Sequence, residues 1–161
     1  MGSRALVLGG GGPVGIAWES GLIAGLAEAG IDLTAADFFL GTSAGSVVGA
    51  QLAMGRPAAA LAESFMGKGE LPSSPSESLA TPPDLSVLAA KLMESYAGVR
   101  PAEEVCAEIG AWALSAPVMS EDAFLASFGR TLAGLPENFW PERKFSCTAV
   151  DAVSSFHRVG Q

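Results

Sequence analysis

Phe38-Phe39-Leu40-Gly41-Thr42-Ser43-Ala44-Gly45 is the stretch that decides the fold. Three apolar residues run into a Gly-x-Ser-x-Gly pentad, and a helix-like segment follows from about Ala44 to Met54, with Gly55 as its natural stop. A serine on so sharp a strand-to-helix turn needs small neighbours, because a side chain at either flanking glycine would collide with neighbouring strands. The hydroxyl is then held outward, above the sheet edge. Ser43 is therefore the candidate nucleophile, set against the plainer reading of a tight turn with an idle hydroxyl.

Upstream, Ala5-Leu6-Val7-Leu8 reads as a strand entering the glycine-rich run Gly9-Gly10-Gly11-Gly12-Pro13-Val14-Gly15, after which a helix begins. Such a loop turns backbone N–H groups toward an anion, and the helix adds its positive N-terminal end. Acyl transfer passes through a tetrahedral oxyanion, where one prepositioned donor contributes about 3 to 4 kcal/mol. Ile31 to Asp37 then cross back to the second strand, which completes a parallel, right-handed strand-helix-strand unit.

This pair of motifs, each closing a short strand, resembles the patatin-like phospholipases, a family of serine acyl hydrolases, closely over about residues 4 to 55. The resemblance implies a three-layer α/β/α fold with a mainly parallel central sheet. It also implies a Ser-Asp dyad with Ser43 as nucleophile and Gly10, Gly11 and Gly12 as oxyanion donors. The substrate would be a lipid or other acyl ester, with no cofactor and no metal. Two departures stand out. Val14 occupies a place where the family has Arg or Lys, and Pro13 has no N–H to donate, although proline suits a first helical turn. The family's aspartate lies in an Asp-Gly-Gly or Asp-Gly-Ala motif, and no aspartate of this chain is followed by glycine.

Phe145-Ser146-Cys147-Thr148-Ala149-Val150-Asp151 resembles the family strand that precedes the aspartate-bearing segment, with Asp151 matching that strand's own aspartate rather than the catalytic one. Ser155 to Val159 reads as the returning strand of a hairpin. Residues 1–161 are thus expected to form the N-terminal part of one patatin-like domain, through cleavage or truncation. The catalytic aspartate would lie beyond Gln161, on a complementary C-terminal fragment.

With 49% apolar residues the chain can bury a core of its own. Nine Lys and Arg against 17 Asp and Glu give a net charge of −8, which opposes a nucleic-acid partner and bulk attraction to anionic membranes. Any lipid contact must then be apolar and local. The first strand leaves no room for a signal peptide ahead of it, and glycines and charges break every run of about 18 apolar residues. The expectation is a soluble, cytoplasmic protein. Cys106 and Cys147 lack metal-ligand spacing and read as two buried thiols, and a single histidine offers no zinc cluster.

Ile16, Ala17, Gly21, Leu22, Gly25 and Leu26 suggest a first helix packed closely on the sheet and capped by Gly30. Pro57 opens another through about Met66, and residues 67–83 form a loop or lid candidate rich in Pro, Ser and Gly. Helical patterns return at Asp84 to Tyr96 and Pro101 to Leu114, and Ser120 reads as the N-cap of a third, through Leu132. Their apolar stripes read as core, with transient membrane-surface contact through Leu88, Leu92 or Trp112 as the alternative.

Three rival readings compete. The glycine run also satisfies Gly-x-Gly-x-x-Gly, so a dinucleotide-binding Rossmann-type domain with Asp32 or Asp37 on a ribose is the first, although it leaves the Ser43 pentad unexplained. Ser43, Asp151 and His157 follow the chain order of an α/β-hydrolase triad, yet Ser43 comes after only two strands, and His157 reads as a strand-surface residue. A non-catalytic patatin-like interaction module is the third.

Overall fold

The computed structural model describes residues 2–66, 85–118, 120, 122–123, 140–152 and 157–160, with backbone alone at 64–66, 85 and 157–160. In chain order the elements are β1 (Ala5–Leu8), α1 (Gly12–Glu28), a 3-10 turn (Leu33–Ala35), β2 (Phe38–Gly41), α2 (Ala44–Ala53) and α3 (Ala58–Met66). These are followed by α4 (Leu85–Tyr96), α5 (Ala102–Ser115), β3 (Phe145–Val150) and β4 (His157–Gly160). The architecture is mixed α/β. By its contacts the chain divides into two compact units, Met1–Pro72 with Gly134–Ala149 and Val159–Gln161, and Ser73–Ala133 with Val150–Arg158. The loop or lid candidate at 67–83 lies outside the described residues.

In the first unit β1 pairs with β2 and β2 with β3, both in parallel, and β4 follows β3 in the strand order. Register places Leu6 beside Phe39 and Phe39 beside Phe145. Alternation then gives one face to Leu6, Leu8, Phe39 and Phe145, and the other to Ala5, Val7, Phe38 and Leu40. The first face carries the core. Phe39, Ile23, Leu52, Leu61 and Val48 are fully buried there, each contributing about 1.5 to 3 kcal/mol. On the opposite face Ala5 and Val7 are exposed.

The helix laid on β1 and β2 is α2, whereas α1 packs on α2 and α3. This corrects the expectation that small residues of α1 meet the sheet. Close approach belongs instead to α2, where a Cβ on Gly49 would stand 3.2 Å from the Phe145 ring. Gly30 and Gly55 adopt left-handed φ of 84° and 81° just past the ends of α1 and α2, as their positions predict. Arg143, ahead of β3, donates to the carbonyls of Thr34 (2.7 Å), Ala36 (2.8 Å) and Leu52 (3.2 Å), and its guanidinium lies 4.8 Å from the Phe39 ring centroid. One side chain thereby ties the turn before β2 to the end of α2 and to the strand that pairs with β2.

In the second unit α4 packs on α5. Val105 is fully buried, and Gly110 is buried against the Ala152 carbonyl, which a Cβ would meet at 2.2 Å. The α4 stripe departs from its expected place in the core: Leu92 and Met93 are exposed and Leu88 is half-buried. Cys106 is exposed and Cys147 half-buried, both as free thiols, so the reading of two buried thiols is corrected too. Ser120 Oγ accepts from the Ala123 N–H at 3.2 Å, which is the expected N-cap bond; the rest of that helix lies outside the described residues. Among the described residues no helix is long and apolar enough to cross a membrane.

Candidate active site

Ser43 sits exposed between β2 and α2 at φ 52°, ψ −113°, the one non-glycine residue with positive φ among those described. Its flanking glycines are there for space. A Cβ on Gly45 would lie 2.4 Å from the Leu8 carbonyl oxygen of β1, and one on Gly41 would lie 2.3 Å from the Gly45 carbonyl oxygen. The first collision is with a neighbouring strand, as the pentad predicts. The second is with the backbone of α2 itself, which no single-strand argument supplies.

Two backbone bonds fix the turn to the first loop. Thr42 N–H donates to the Leu8 carbonyl at 3.1 Å, and Gly45 N–H donates to the Gly9 carbonyl at 2.8 Å. The β3 strand adds a third tie, Thr148 Oγ1 to Thr42 Oγ1 at 2.9 Å.

The glycine loop stands beside the serine: a Cβ on Gly10 would come within 3.8 Å of Ser43 Cβ, and one on Gly15 within 3.1 Å of Ala44 Cβ. Gly11 tolerates no side chain, since its Cβ would meet Gly15 Cα at 2.8 Å. Among the described residues the amides of Gly10, Gly11 and Gly12 donate to no backbone carbonyl, and Pro13 opens α1 without an N–H to satisfy. Free donors next to a strained, exposed hydroxyl can receive a developing oxyanion. The Ala44 amide, first in α2 and likewise not a donor to backbone, is a further candidate; the residue after an elbow nucleophile commonly supplies such a donor.

Glu19 and Ser20 were not singled out by their sequence context, yet both are buried on α1. Glu19 Oε1 accepts from the Gly9 N–H at 2.9 Å, while Glu19 Oε2 and Ser20 Oγ are buried without a hydrogen-bond partner among the described residues. Burial pushes the Glu19 carboxyl above its ordinary value, and the Gly9 N–H opposes the shift. Each unpartnered buried oxygen costs about 1 to 3 kcal/mol. On the same helix Val14, Trp18 and Leu22 are exposed. The helix therefore buries two polar side chains beside Ile23 and leaves three large apolar ones exposed.

The other candidate residues make local contacts or belong to the second unit. Asp32 accepts from the Thr34 hydroxyl and amide, which hold it below the usual carboxylate range, and Asp37 accepts from the Arg4 N–H at 2.7 Å. Both carboxylates are exposed, and each of these bonds engages a single oxygen. Asp151 belongs to the second unit and Ser43 to the first, and the side chain of His157 lies outside the described residues. A shallow depression of about 410 Å³ beside Phe38, Trp140 and Phe145 includes neither Ser43 nor a loop glycine.

Comparison with known proteins returned no significant match, whether to a protein-family model, a curated protein or a solved structure.

Proposed function

We propose that this chain carries the nucleophile and the oxyanion donors of a serine acyl hydrolase of patatin type, acting on carboxylic esters of lipids. One observation carries the reading: Ser43 is exposed in a strained backbone conformation, between glycines that admit no Cβ, next to a loop in which the amides of Gly10, Gly11 and Gly12 donate to no backbone carbonyl among the described residues. A mere tight turn has no need of the strain or of the free amides. The dinucleotide reading leaves the pentad and the steric need for its two glycines unexplained.

In the mechanism that follows, Ser43 Oγ attacks the ester carbonyl carbon as its proton passes to an aspartate, which the family resemblance puts in a segment beyond Gln161. The amides of Gly10 to Gly12, with Ala44, hold the oxyanion. As the tetrahedral intermediate collapses, the ester C–O bond breaks and the aspartic acid gives its proton to the departing alcohol, leaving an acyl-enzyme; water, losing a proton to the aspartate, then attacks the acyl carbon, and the fatty acid leaves as that proton returns to Ser43 Oγ. The apolar surfaces left open support the three-layer fold. Val7, on the sheet face turned away from α2, is what a third layer supplied by a complementary C-terminal fragment would cover. Transient membrane contact would run through the exposed Leu92, Met93 and Tyr96 of α4, since a net charge of −8 gives anionic lipid no bulk attraction.

Ser43→Ala, in protein expressed from the complete gene, is expected to lower turnover of a p-nitrophenyl acyl ester by about 10³-fold or more with the fold intact. Retained turnover would move the nucleophile elsewhere.

A further inference from the structure

Gly9 is the first residue of the loop, and peptide planes on both of its sides are tied down. Its N–H donates to Glu19 Oε1 at 2.9 Å, and its carbonyl accepts from the Gly45 N–H at 2.8 Å. A peptide plane is rigid and trans, so the direction of the Gly9 carbonyl dictates that of the Gly10 N–H on the opposite side of the same plane. The elbow thus sets one plane. Glycine's freedom in φ and ψ would still let the preceding plane swing, and that plane is held by the Glu19 carboxyl.

We infer that Glu19 is the positioning residue of the oxyanion loop. Its buried carboxyl pins Gly9 from the side of α1 while the elbow pins it from the other, so that Gly10, where a Cβ would stand 3.8 Å from Ser43 Cβ, is held at a set place with one orientation of its amide. The inference deepens the hydrolase reading and rests on it for the catalytic consequence. Glu19 is 6% exposed, so packing fixes its carboxyl, which then holds the N–H of the exposed Gly9. Glutamine keeps the acceptor oxygen and the length of the side chain, whereas leucine keeps the bulk and loses the acceptor.

The test compares Glu19→Gln and Glu19→Leu in protein from the complete gene, with Glu19→Ala as substitute if the leucine variant does not fold. Amide hydrogen exchange at Gly9 and steady-state turnover of a p-nitrophenyl acyl ester are both read. In the leucine variant Gly9 exchange is expected to rise about tenfold or more. Its kcat is expected to fall about 10²-fold, with KM within about twofold, as for a lost oxyanion donor. Glutamine is expected to restore both. Unchanged Gly9 exchange in the leucine variant would overturn the inference, and so would altered exchange with kcat intact. Should Ser43→Ala turn over the ester as the parent does, the hydrolase reading fails by itself, and Gly9 exchange still decides whether Glu19 holds the loop.

Discussion

Ser43 holds a backbone conformation that costs a residue with a Cβ about 1 to 3 kcal/mol. Under the proposed hydrolase reading, stability and activity pull against each other at this position. Ser43→Gly removes the Cβ that makes the conformation costly, and Ser43→Ala keeps it. Allowing for glycine's greater unfolded-state freedom, the glycine variant is expected to be more stable than the alanine variant by about 1 kcal/mol, read from urea midpoints. Equal midpoints would mean that the turn stores no strain. This residue and its glycines were legible because a pentad fixes chemistry and sterics together. Glu19 was not, since a carboxylate between Trp18 and Ser20 in a helix without a polar face looks the same whether buried or solvated.

At the scale of elements, helix ends were easier to read than helix faces. Gly30 and Gly55 end α1 and α2 through local backbone geometry, which sequence carries directly. The buried side of α1 had no such marker. Small and apolar residues lie on every side of that helix, so the pattern has no phase, and the structure buries Glu19, Ser20 and Ile23 in place of the expected Ala17, Gly21 and Leu22.

The pairing of α4 with α5 rests partly on charge. Glu108 of α5 accepts from Arg100 and from Lys91 of α4, each at 2.5 Å, and Arg100 followed by Lys91 draws its carboxyl down to about 2. A depressed carboxyl stabilises the folded form above its ordinary value of 4.5, and that support fades as pH falls through about 2. Arg100→Ala is therefore expected to raise the Glu108 titration toward 4.5 and to weaken α4–α5 at pH above that value, with little difference from the parent near pH 2. Titration of the Glu108 carboxyl by NMR checks this, and an unmoved midpoint in the variant would contradict it.

Over the whole molecule, the parallel strand-helix-strand start and the elbow follow from short-range patterns, and both are present. The layering was not readable in the same way, because it depends on which faces find partners across the fold. Three side chains illustrate this. Val7 alternates correctly for a strand covered on both faces yet is 67% exposed, and Trp18 and Val14 are 66% and 78% exposed on a helix with no polar side. The three-layer fold proposed above would cover Val7 from the sheet face opposite α2.

The central claim is that the Ser43 hydroxyl is a working nucleophile beside a cup of free amides. Reaction of the protein from the complete gene with a serine-directed fluorophosphonate, followed by peptide mass mapping, tests it most directly. One adduct on the peptide bearing Ser43, absent in Ser43→Ala, is the predicted result. No adduct, or an adduct on another serine that survives the substitution, would contradict it.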